Sequence, residues 1–144
     1  MRGVAFLAKF RLGNGRLDPE LRAALEAEGL VLIEEGLQGS VRYRRFKAPG
    51  RRHDGKVTGE RIGLAISETR FVVYCRSGST KLIDASFSDP RLSVLDASLE
   101  GNDTVSLKID YDRAGVPEVS GEIRIVVRTP NAPAIVDQLR ARLP

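Results

Sequence analysis

Seven cationic side chains, Arg42, Arg44, Arg45, Lys47, Arg51, Arg52 and Lys56, fall in one short stretch that holds a single acid, Asp54. Arginine offers a planar fork of donors that fits carboxylate and phosphate oxygens, and lysine adds a compact point charge. Beside an anionic bilayer each such charge contributes on the order of 1 kcal/mol. Tyr43 and Phe46 interleave with the arginines, an arrangement that also suits stacking on single-stranded nucleic acid. These seven residues are therefore the candidate anionic-ligand site. The competing expectation is a solvated segment whose arginines cover apolar surface with their stems and pair with Glu34, Glu35 or Glu60.

The remaining chemistry-bearing residues assemble less. His53-Asp54 is the only histidine beside a carboxylate, and a catalytic pair needs a nucleophile and an orienting group that spacing does not supply. Cys75 lies in the apolar run Phe71-Val72-Val73-Tyr74-Cys75, which predicts a packed thiol rather than a reactive one. One Cys and one His exclude a zinc site built from thiolates and imidazoles. Asp103, Asp110, Asp112 and Glu118 cluster in sequence without calcium-loop spacing. Asp110 and Asp112 are expected on one face of a strand. Gly13-Asn14-Gly15 and Gly36-x-x-Gly39 lack the pattern of phosphate-cradling loops and read as turns. No catalytic residue, metal ligand or cofactor is assigned, and the chain is expected not to be an enzyme.

The wider composition sets the frame for that segment. The chain has 144 residues and a net charge of +4. The window from Arg42 to Lys56 carries +6, which leaves −2 for everything else. An apolar share of 42% and a charged share of 29% are those of an ordinary globular protein. One domain is expected over 1–144, with 1–29 as an N-terminal extension and 30–144 as the core. A single cysteine makes no use of an oxidising compartment. The apolar stretch from Gly3 to Ala8 is too short for a signal peptide, and no segment approaches the length of a membrane span. These features predict a cytoplasmic protein.

Period-two alternation dominates the chain. Val4, Phe6, Ala8, Phe10 and Leu12 suggest a strand over 4–12, with a short helix as the alternative. Asp18-Pro19-Glu20 predicts a helix over about 19–28 that stops at Gly29. Strands are then expected over 30–34 and 40–47, followed by an exposed loop over 50–59. In the second strand Val41 and Tyr43 share one face, with Arg42, Arg44 and Phe46 on the other. Further strands are expected at 62–67, 71–76, 81–87, 92–96, 105–111 and 123–127. Ile135, Val136, Leu139 and Leu143 form the apolar stripe of a closing helix.

The fold class is accordingly mainly β (α+β): a bent antiparallel sheet or partly open barrel of seven to eight strands, capped by a C-terminal helix. From about Leu30 to Leu143 this order of elements resembles the pleckstrin-homology-like fold, including its bacterial and GRAM-type members. Arg42-Tyr43-Arg44 resembles the basic-x-arginine pattern of phosphoinositide-binding members. Those members carry a lysine near the end of the first strand, where this chain has Glu34-Glu35, and many carry a closing-helix tryptophan that this chain lacks. The resemblance implies a non-enzymatic adaptor that binds a protein or peptide partner. A second reading is peripheral binding, through 42–56, of an anionic ligand: phospholipid headgroups at the inner face of the membrane or, ranked behind them, nucleic acid. A third is a carrier of one small apolar ligand. A strand over 4–12 could pair either in its own sheet or with a second copy, the latter making a homodimer through the N-terminal segment.

Overall fold

The computed structural model describes residues 16–75 and 80–144. It is mainly β, with seven antiparallel strands: β1 (Leu30–Ala48), β2 (Arg51–Ser67), β3 (Arg70–Cys75), β4 (Thr80–Ser86), β5 (Leu95–Leu99), β6 (Thr104–Asp110) and β7 (Ser120–Arg128). Their hydrogen-bonding order is β4-β3-β2-β1-β7-β6-β5. Among the described residues three helices accompany them: α1 (Pro19–Ala27), α2 (Pro90–Ser93) and the C-terminal α3 (Ala132–Arg142). The described residues form two compact units, one reaching Leu37 and including Glu60–Asp84, the other containing Gln38–Gly59 and Ala85–Pro144. β1 and β2 each contribute to both.

In the first unit, Pro19 and Glu20 open α1, and Gly29 at φ 89 ends it in the left-handed backbone that glycine tolerates. The stripe Leu17, Leu21 and Leu25 packs on Ala65, Val72 and Tyr74, with Leu30 and Ile33 at the margin. Cross-strand pairing puts Tyr74 opposite Gly63, and the ring lies where a Cβ on that glycine would stand. The opposite face of β2 and β3, formed by Ile62, Leu64, Ile66, Phe71, Val73 and Cys75, is buried as well. Polar pins fix the helix end. Glu28 binds Arg70 Nε at 3.0 Å and receives the Ser67 hydroxyl at 3.2 Å, while Glu35 accepts the Leu17 amide at 2.6 Å.

The second unit follows the alternation closely. Val105, Leu107 and Ile109 on β6 pair with Val127, Ile125 and Ile123 on β7, and all six are buried. Ala132, Ile135, Val136 and Leu139 of α3 are buried too, and α3 packs on β5 and β6. Its outer face carries Asp137 and Arg140. Arg140 reaches back to donate to the Ala97 carbonyl.

Several local expectations are corrected. The separate strands expected at 30–34 and 40–47 are one strand, because main-chain pairing does not need apolar side chains and continues through Gly36 and Gly39. The loop expected over 50–59 is the first half of β2. The strand expected over 92–96 begins only at Leu95. Asp89 accepts the Arg91 amide at 2.9 Å and Pro90 supplies the first helical residue, so α2 occupies 90–93 instead. Tyr111 leaves β6 for a single 3-10 turn, Tyr111–Arg113, so Asp110 and Asp112 do not share a strand face. The strand expected over 4–12, the dimer expectation resting on it and the turn expected at 13–15 lie outside the described residues.

Candidate ligand-binding hairpin

β1 and β2 are joined by Pro49-Gly50, in the proline-then-glycine order of a type II turn, with Gly50 at φ 72. Four residues earlier the pairing of β1 with β7 shifts register between Arg44 and Lys47, and Arg45 takes φ 50. An extra residue in one strand inverts the alternation beyond it. Phe46 therefore returns to the face of Val41 and Tyr43, where it is buried, and does not join Arg42 and Arg44 as the bare alternation predicts. Gly121 makes the bulge sterically feasible. It stands at φ 87, and a Cβ there would overlap the Arg44 and Arg45 carbonyls.

On the recovered face, rings collect. Tyr43 and Phe46 have centroids 5.4 Å apart, and His53 from β2 lies 4.8 Å from Tyr43 and stacks on Phe46 at 6.2 Å with planes 14° apart. Tyr111 closes the group, 5.6 Å from Phe46. Arg51 places its guanidinium carbon 5.5 Å from the Phe46 centroid, a cation–π contact. Burial pushes the Tyr111 phenol up, a change that Arg91 and Arg51 oppose. Sequence reasoning missed that His53 and Tyr111 belong together. The available signal was Pro49-Gly50: counting outward from a two-residue turn sets His53 opposite Phe46.

The seven candidate cations are all exposed, but they do not form one patch. Lys47, Arg51 and Arg52 line an open depression with Ala48 and Gly50 near the turn. Arg42 and Arg44 lie on the face opposite the rings, across from Arg124 and Glu122 on β7. Arg124 is held by Glu100 at 2.7 Å, and Glu122 by Lys108 at 3.8 Å. Arg45 sits in the bulge, its amide donating to Asp54 at 3.4 Å. Lys56 lies further along β2. Among the described residues, no acidic side chain is within 4.0 Å of the charged ends of Arg42, Arg44, Arg45, Lys47, Arg51, Arg52 or Lys56. Pairing with Glu35 is not what the structure has, since Glu35 engages Arg22 at 3.5 Å.

The other candidates take structural places. Cys75 is buried. Asp110 accepts the Asp112 amide and Asp112 the Gly121 amide, each at 3.1 Å, while Asp103 accepts the Thr104 hydroxyl at 3.0 Å. Among the described residues, no three of His, Cys, Asp and Glu converge as a metal site, and no helix is long and apolar enough to cross a membrane. No protein-family model matches the chain, and no curated protein is significantly similar to it.

Proposed function

We propose that this protein is a non-enzymatic interaction domain of pleckstrin-homology-like architecture whose β1–β2 hairpin binds an acidic protein or peptide. The supporting observation is the set of exposed cations around the turn without acidic counterparts within the described residues. Surface ion pairs are worth about 0–1 kcal/mol each and need little tuning to form. A hairpin that leaves so many cations unmatched while Arg22, Arg70, Arg91 and Arg124 all have acidic partners presents a charge available to another molecule. The strand order and the C-terminal helix support the architecture.

The test is binding of fluorescent polyglutamate at ionic strengths of about 0.01 M and 0.15 M, where the screening length falls from about 30 to 8 Å. Binding is expected at low salt, weakened at higher salt and lost in Arg51→Glu/Arg52→Glu. Vesicles containing phosphatidylserine and a single-stranded oligonucleotide form parallel arms. Tighter binding to either would reassign the hairpin to that anion, and an unresponsive parent protein at low salt would remove the charge reading altogether.

A further inference from the structure

We infer that the Arg51–Gly59 half of β2 is a docking edge on which an acidic, extended peptide adds as a further β-strand. The inference rests on the proposed acidic partner but specifies how it is held. Among the described residues, β3 pairs with β2 from Ile62 to Ile66, where Cys75 to Phe71 run opposite. From Arg51 to Gly59 every residue is in strand conformation and exposed, with β1 on one side and no strand on the other among the described residues. Such an edge presents main-chain donors and acceptors without partners, the template for strand addition.

Charge selects the occupant. The stretch carries Arg51, Arg52 and Lys56 against Asp54. A second copy adding here would set cations against cations, which opposes pairing. An acidic strand meets the opposite sign. The stretch also offers apolar contact: His53 is braced by Tyr43, and Val57 is 46% exposed. A Cβ built on Gly55 or Gly59 would meet nothing within 4 Å, so space for incoming side chains is open there. Both glycines have positive φ, which limits regular pairing to the runs they bound, above all Arg51–Asp54 before Gly55. An alternating acidic and apolar sequence is the complement of this surface.

The probe is a capped peptide of alternating glutamate and valine, about eight residues long, with its lysine–valine counterpart as control, titrated into the full chain. In an added strand every other amide faces the edge. N-methylation of one alternate set should weaken binding about tenfold while the other set leaves it within about twofold. Exchange of alternate main-chain amides within 51–59 should slow by about tenfold in the complex. Equal tolerance of both methylated sets, with exchange unchanged, would overturn strand addition and leave charge-driven docking intact. Failure of both this peptide and polyglutamate to bind at low salt would overturn the two together.

Discussion

Gly121 lies so close beneath Arg45 that any side chain on it would occupy the position of the Arg45 carbonyl. The bulge that returns Phe46 to the ring cluster thus depends on a residue far away in the chain. Gly121→Ala combines left-handed strain of about 1–2 kcal/mol with steric overlap of about 1–3 kcal/mol. A loss of about 2–5 kcal/mol is expected in urea unfolding, with the denaturant slope unchanged. A loss below about 0.5 kcal/mol would show that the bulge adapts freely.

That dependence also explains what could be read beforehand. Val105, Leu107 and Ile109 announce their strand because their apolar side chains recur with period two on a packed face, and Ile62, Leu64 and Ile66 do the same although both faces of β2 are buried there. The first half of β2 has no such face: all nine of its residues from Arg51 to Gly59 are exposed, so glycines and charges there read as a loop. Its strand conformation comes from main-chain pairing and the Pro49-Gly50 turn. The seven cations were legible as residues, but their division between two faces was not. That division is set by the pairing of Arg44 and Lys47 with Glu122 and Ser120, which no local pattern encodes.

Tyr74 offers a test of the first unit. Its side chain is fully buried, and among the described residues its hydroxyl makes no hydrogen bond of ordinary geometry, although the Glu35 carboxylate lies near enough to raise its pKa. A buried polar group without a partner costs about 1–3 kcal/mol. Tyr74→Phe keeps the ring over Gly63 and removes the cost, so thermal unfolding should move upward or stay level, by up to about 1–2 kcal/mol of added stability. A destabilisation beyond about 1 kcal/mol would mean that the hydroxyl is satisfied in solution.

Asp89 holds the start of α2. It accepts the Arg91 amide at 2.9 Å and both guanidinium contacts, at 3.0 and 2.7 Å. The Arg91 side-chain hydrogen bonds keep its carboxyl below the ordinary carboxylate value. Asp89→Asn retains a cap acceptor and should cost a few tenths of a kcal/mol, whereas Asp89→Ala should cost about 0.5–1 kcal/mol. Equal losses for the two would show that the ion pair, not the cap, fixes this turn. Because the folded value is depressed, the contribution is present at neutral pH and fades as pH falls through that depressed value.

Two phenols give the fold an alkaline limit. Burial pushes Tyr74 well up, reinforced by the Glu35 carboxylate, and burial also raises Tyr111. In the unfolded chain each releases its proton near pH 10. Above that pH the unfolded state binds fewer protons than the folded one, so stability falls as pH rises. Below it the full contribution is present. Each phenol adds a slope of up to about 1.4 kcal/mol per pH unit in that window. Unfolding free energies measured from neutral pH into the window should therefore decline, and Tyr74→Phe and Tyr111→Phe should each flatten the decline by one proton's share. Identical slopes for the parent and both variants would mean that neither phenol keeps its proton longer in the folded chain.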